Sequence, residues 1–217
     1  MNKLILDIET IPNQNLQEDL MPKFDETTVK LGVLKDPVKI EAKIEKAKEA
    51  FKNGLTKKMS LESNFAQILS LGYIEINDQG EEIQRGVLFN ESNDKQILED
   101  FAKIYKGQQI IGWNSKRFDL PLIWKRGIFQ NIKIFRDNIK HLCNPYRDDS
   151  LDLMLDFNAG NMGKMSACAK LLGIECKTGL DGSMIYDAFK AEQYEEIKDY
   201  NLEDCDCTLS IYRRLYT

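Results

Sequence analysis

Apolar positions along the chain switch between two periods, and the switches mark its elements. Residues 3–8, KLILDI, 65–76, FAQILSLGYIEI, and 82–89, EIQRGVLF, predict three strands. The polar NDQG between the last two is a hairpin signal. Residues 91–107 predict a helix, with Ile97, Phe101 and Ile104 at helical spacing and Gly107 as a stop. QQIIGWN at 108–114 predicts a short strand, and FDLPLIWKRG at 118–127 a helix with Pro121 in its first turn and Gly127 at its end. Beyond residue 150 the pattern is helical, over about 152–157, 163–173, 182–190 and 193–215. Three strands followed by helix, strand and helix give an α/β sheet with an antiparallel portion. No internal repeat or low-complexity run interrupts residues 1–217, which read as one domain.

A helical insertion at 24–60 follows the first strand. Within it, residues 35–58 carry eight Lys and four acids in a chain whose net charge is −5. Ile40, Ile44, Ala47 and Phe51 form one narrow apolar stripe. A solvated surface helix laced with i,i+4 charge pairs accounts for this pattern. The sharper alternative, ranked second, is a basic flap beside an acidic cleft that steers a polyanion. The flap predicts that Lys43, Lys46 and Lys48 changed to Glu raise KM for nucleic acid and flatten its salt dependence.

The first strand carries a chemical anomaly. LILDIETIP at 4–12 places Asp7 and Glu9 two residues apart, on one face of an otherwise apolar strand. Paired carboxylates in such a setting repel each other and lose water. The last helix offers a third acid. At about 100° per residue, Tyr200, Asp204, Thr208, Ile211 and Leu215 share a stripe with Ile197, while Asp199, Glu203 and Asp206 point away. Asp119, where the strand QQIIGWN gives way to a helix, is a fourth; an N-cap is its ordinary role, but strand ends in α/β sheets are also where ligand sites form. Four converging carboxylates call for hard divalent cations, Mg²⁺ or Mn²⁺. Two such ions about 4 Å apart clamp the attacking and leaving oxygens of a phosphoryl displacement.

Composition narrows the classes. A chain of 217 residues that is 42% hydrophobic can bury a sizeable core, and no apolar run is long enough for a membrane span. Asp7 and Glu9 break the first apolar run, so it does not read as a signal peptide. The five cysteines are odd in number and form no C-x-x-C pair, which predicts buried thiols, no disulfide framework and a cytoplasmic location. Net acidity argues against coating nucleic acid by charge alone, but not against acting on it through bound cations.

Three stretches, DIET at 7–10, GWNSKRFDLP at 112–121 and YNLEDCDCT at 200–208, occur in the order and on the elements of a known family. The chain resembles the DEDD 3′–5′ exonucleases of the RNase H-like superfamily, above all the proofreading exonuclease domain of family-B DNA polymerases and a free-standing predicted subgroup related to it. LDLM at 151–154 and DGSMIYDAF at 181–189 extend the resemblance, and the insertion fits it least. It implies a mixed five-stranded sheet flanked by helices. It also implies that Asp7, Glu9 and Asp204 bind one metal ion and that Asp7 and Asp119 serve a second. Tyr200 would orient the attacking water. The sister subfamily has His five residues before the last Asp, where this chain has Asp199, so the tyrosine (DEDDy) subfamily is implied. Thr10, Ile11, Trp113, Asn114 and Phe118 are implied as substrate contacts, with core packing the rival role for Trp113 and Phe118. His141 reads as an ordinary surface or packing residue, Asp152 as a helix N-cap or, second, a contact that orients the site, and Lys116, Arg117 and Arg126 as solvated or phosphate-facing charges.

The expected activity is metal-dependent release of nucleoside 5′-monophosphates from the 3′ end of single-stranded DNA. The alternatives are the same chemistry on RNA, an inert nucleic-acid-binding module, and a proofreading subunit with a protein partner held by the 35–58 helix. No membrane partner is expected.

Overall fold

The computed structural model describes residues 1–132, 139–144, 146–147, 149–176 and 180–217. Five strands form one mixed sheet: β1 (Lys3–Pro12), β2 (Ala66–Ile76), β3 (Glu82–Phe89), β4 (Gln109–Gly112) and β5 (Ser150–Asp152), in the order β3-β2-β1-β4-β5. β1 is antiparallel to β2, β2 to β3, and β1–β4 and β4–β5 are parallel. This is the mixed α/β sheet that the sequence reading expects, with β1 at its centre.

Among the described residues the α-helices are α1 (Pro37–Leu61), α2 (Lys95–Ile104), α3 (Asp119–Phe129), α4 (Leu153–Phe157), α5 (Met165–Leu171), α6 (Ile185–Lys190) and α7 (Tyr194–Tyr216). Alternation along β1 sorts the core between the two faces of the sheet. Leu4, Leu6 and Ile8 pack with Ile97 and Phe101 of α2 and with Leu120 and Ile123 of α3. Ile5 packs with Ile74, Ile76 and Ile111 against Cys205, Leu209 and Ile211 of α7. Ile11 packs with Leu69, Ile185 and Ile197. Among the described residues no helix is long and apolar enough to cross a membrane.

Several boundaries depart from expectation. β1 runs on to Pro12, because Asp7 and Glu9 stay in register with Gly72 and Ser70 before a shift between Glu9 and Thr10. α3 continues past Gly127 to Phe129, since nothing after the glycine breaks the backbone ladder. Residues 150–152 are a strand rather than the start of a helix; three residues are too few to show a period, and parallel pairing with β4 defines them. The prediction of only buried thiols fails at one pair: Cys176 and Cys207 form a disulfide that ties the segment after α5 to α7, which removes the cysteine argument for a reducing compartment. Cys168 and Cys205 are free and buried, and Cys143 is free.

Candidate active site

The site forms where β4 runs out. β4 pairs with β1 only from Lys3 to Ile5, so beyond Ile5 the β4 side of β1 lies open. A Cβ on Gly112 would lie 2.6 Å from the Ser115 Cβ and 3.1 Å from the Leu6 carbonyl oxygen, so only glycine lets the chain turn there. Asn114 takes a left-handed backbone (φ 60°), and the turn delivers Asp119 as the first residue of α3. Asp152 fixes this turn. Its buried carboxylate accepts from the backbone N–H groups of Asn114 and Lys116, both at 3.0 Å, while capping α4 through Met154 and Leu155. The N-cap expected of Asp152 is therefore present, with a second task added.

Asp7, Glu9 and Asp204 come together as expected: one carboxylate oxygen from each lies within 4.8 Å of the others. Asp119 of α3 lines the same cleft as Asp7 and Glu9, and its Oδ1 accepts from the Ile8 N–H at 3.2 Å. Burial, then the charges of Glu9, Asp119 and Asp204, hold the Asp7 carboxyl well above its ordinary value. Burial, then the charges of Asp204 and Asp119, do the same for Glu9. Burial pushes Asp119 up to about 7 and Asp204 up to about 6. The Tyr200 phenol is raised by burial and by the neighbouring charge of Asp204.

The donor set fits hard cations. All the converging atoms are carboxylate oxygens, and two oxygens on opposite sides of a Mg²⁺ ion stand about 4 Å apart. The three oxygens present lie within 4.8 Å of one another, close to that spacing.

A residue that sequence reasoning missed holds the cradle. Asn201 is fully buried on α7. Its Nδ2 donates to Asp7 Oδ2 at 2.7 Å, and its Oδ1 accepts from Ser70 Oγ at 2.6 Å. The expected stripe centred on Tyr200 and Asp204 is accordingly shifted. Asn201, Cys205, Thr208 and Ile211 form the buried line, and Tyr200 and Asp204 sit half-buried beside it. The shift follows from Gly72, which pairs with Asp7 across the sheet. A Cβ there would lie 2.9 Å from Cys205 Sγ and 3.0 Å from the Asn201 carbonyl oxygen, so α7 sits directly on the strand. The signal available in the sequence was a polar residue one turn before Cys205, on the side of the helix that must be buried.

The cleft over these acids measures about 630 Å³, and Thr10, Trp113, Asn114 and Phe118 line it. Asn114 Oδ1 is a buried acceptor with no hydrogen-bond partner among the described residues. The Thr10 hydroxyl is committed to the Ser60 carbonyl oxygen at 2.7 Å. Trp113 both lines the cleft and packs with the α7-side core, its Nε1 donating to the Gly163 carbonyl oxygen at 3.2 Å. Phe118 likewise borders the core on the α3 side. Ile11 is a correction: it is fully buried against Leu69, Ile185 and Ile197 and presents no surface to a substrate. The basic residues near the motif are also engaged. Arg126 is buried in an ion pair with Asp94, Lys116 Nζ donates to the Arg147 carbonyl oxygen, and Arg117 donates to the Gly160 carbonyl oxygen. His141 is exposed, 3.5 Å from Asp149.

Residues 60–217 match the model of a protein family described as a predicted 3′–5′ exonuclease related to the exonuclease domain of PolB. β1, with Asp7 and Glu9, lies outside the matched span. No curated protein matches the chain. Among solved structures, a family B DNA polymerase from the archaeon Pyrobaculum calidifontis superposes with a TM-score of 0.57 at 16% identity, over 99% of this chain and 24% of the polymerase. Exonuclease I in its apo form gives 0.47 at 11% identity, over 99% of this chain and 41% of the other. The zinc-bound complex of E. coli exonuclease I with single-stranded DNA gives 0.47 at 10%, over 99% and 40%. The chain thus spans about a quarter of the polymerase and two fifths of exonuclease I. The likeness to the polymerase is one of fold, a mixed sheet with flanking helices.

Proposed function

Because the chain belongs to the family of predicted 3′–5′ exonucleases related to the exonuclease domain of PolB, we propose that it hydrolyses the terminal phosphodiester at the 3′ end of single-stranded DNA and releases nucleoside 5′-monophosphates. The observation that carries this reading is the convergence of Asp7, Glu9 and Asp204 within 4.8 Å, with Asp7, Glu9 and Asp119 lining one cleft.

In this reading Asp7, Glu9 and Asp204 hold one divalent cation, and Asp7 with Asp119 a second. Bound, the pair supplies the charge and Lewis acidity that favour attack of water on phosphorus and departure of the 3′ oxygen. Asn201 keeps one Asp7 oxygen occupied and thereby sets the direction of the other. Tyr200 holds Asp204 and presents a donor to the attacking water, the arrangement of the tyrosine subfamily. Asn114 Oδ1 accepts a hydrogen bond from the terminal nucleotide, and Trp113 and Phe118 border that nucleotide. Residues 1–217 act as one unit, with the 24–60 insertion forming part of the cleft wall through the end of α1.

The test is a gel assay of the purified protein on 3′-end-exposed and 3′-blocked single strands of DNA and RNA, with Mg²⁺ or Mn²⁺ and with EDTA. Metal-dependent shortening from an open 3′ end is expected, faster on DNA. Undiminished shortening in EDTA would exclude the metal mechanism, and equal rates on RNA would widen the substrate class.

A further inference from the structure

α1 is the part of the chain that the proposed function absorbs least, since residues 37–59 lie outside the family match. Its last turns nevertheless face the acids. Asn53, Thr56, Lys57, Ser60 and Leu61 all line the cleft. Their spacing of 0, 3, 4, 7 and 8 is one face of a helix, and here that face is mostly polar. The Thr10–Ser60 hydrogen bond and buried Met59 pin this end of α1 to the sheet.

The same face continues away from the cleft. Measured from Lys57 at about 100° per residue, Lys39, Lys43 and Lys46 all fall within about 40° of one line along the helix. The acids of α1, Glu41, Glu45 and Glu49, fall about 80° or more from that line, and Lys48 and Lys52 lie on the far side. Lys39, Lys43, Lys46 and Lys57 are exposed, and none has an ion pair among the described residues. By contrast Lys48 pairs with Glu45 at 3.5 Å and Lys58 with Glu62 at 3.8 Å. The apolar stripe that holds the helix down lies to one side of the line, where Phe51 meets the ring of Phe24 at 5.7 Å.

We propose that α1 is a phosphate rail: a single nucleic-acid strand whose 3′ end lies over the acids leaves the cleft along Lys57, Lys46, Lys43 and Lys39, with its backbone phosphates against that line. At about 1.5 Å per residue the line is about 27 Å long, so it serves several nucleotides beyond the one being cut. The basic flap of the sequence analysis is thereby divided: Lys43 and Lys46 belong to the rail, and Lys48 does not. The inference rests on the proposed exonuclease reading.

The test compares two triple variants of equal charge change on one helix, Lys39→Glu with Lys43→Glu and Lys46→Glu, and Lys48→Glu with Lys52→Glu and Lys58→Glu. Equilibrium binding of a fluorescein-labelled single strand of about 20 nucleotides, in Ca²⁺ and across a salt series, reads the rail without requiring cleavage. The rail triple should weaken binding at least tenfold and reduce the slope of log K against log salt by about 2. The off-line triple should weaken binding less than threefold. A strand of about 4 nucleotides, held only by the cleft, should bind both triples alike. Equal losses for both triples on the long strand, or no loss for the rail triple, overturn the rail. Helicity measured by circular dichroism excludes unfolding of α1 as the cause. Wild-type cleavage of the short strand in Mn²⁺ is scored separately, so that failure of the exonuclease reading is distinguishable from failure of the rail.

Discussion

Replacing Asp7 by Asn should make the metal-free protein more stable and insensitive to metal. The side chain keeps its shape, and its amide oxygen can still accept from Asn201, so the charge is what changes. With the carboxylate oxygens of Asp7, Glu9 and Asp204 no more than 4.8 Å apart, each ionised pair costs at least about 3.5 kcal/mol at an effective dielectric constant of about 20. The protein relieves part of this by binding protons, which is why these carboxyls sit above their ordinary values. A net gain of about 2–3 kcal/mol near pH 8 is therefore expected, equivalent to a Tm rise of about 5–10 °C for a chain of this size. The pH dependence has a definite sign. A carboxyl whose folded value is raised destabilises the fold above its unfolded value of about 4, with the full cost reached above the folded value. With Asp204 at about 6 and Asp119 at about 7, the metal-free wild type should lose stability between about pH 4 and about pH 8, and the advantage of Asp7→Asn should shrink toward acid. Mn²⁺ at about a thousandfold excess over its Kd adds about 4 kcal/mol to the wild type and should add nothing to the variant. Thermal melts at both pH values, with Mn²⁺ and with EDTA, should thus show the order of stability reversing on metal addition. A lower metal-free Tm for Asp7→Asn near pH 8, or an undiminished Mn²⁺ shift, would refute the cradle.

Asn201→Leu removes the donor to Asp7 and leaves the buried Ser70 hydroxyl without its acceptor, so a loss of about 1–3 kcal/mol in urea unfolding is expected. Mn²⁺ affinity, read by thermal shift, should fall about 10- to 100-fold, the cost of losing a group that orients a ligand. Gly72→Ala should push α7 off β2 through Cys205 and the Asn201 backbone, costing about 1–3 kcal/mol. Because Asp204 rides on α7, single-turnover cleavage by the folded fraction should drop as well; full activity would show that the approach at Gly72 does not position Asp204.

The sequence by itself determined the local elements and the chemical kind of the site. Period-two alternation placed Asp7 and Glu9 on one strand face, NDQG closed the β2–β3 hairpin, and three acidic motifs in order named the four carboxylates and Tyr200. Local spacing, however, says which residues share a face and not what that face meets. The rotation of α7 was decided by Gly72, some 130 residues away, and with it the burial of Asn201. β5 exists because β4 offers a parallel edge, and three residues carry no period of their own. The resemblance implied Ile11 as a substrate contact, but α6 and α7 cover it. The lysines of α1 read as one basic run until the end of the helix was anchored beside Glu9; only then did one line of them face the cleft. In each case the deciding contact joins residues far apart in the chain, and such contacts arise from packing two elements together rather than from the pattern within either.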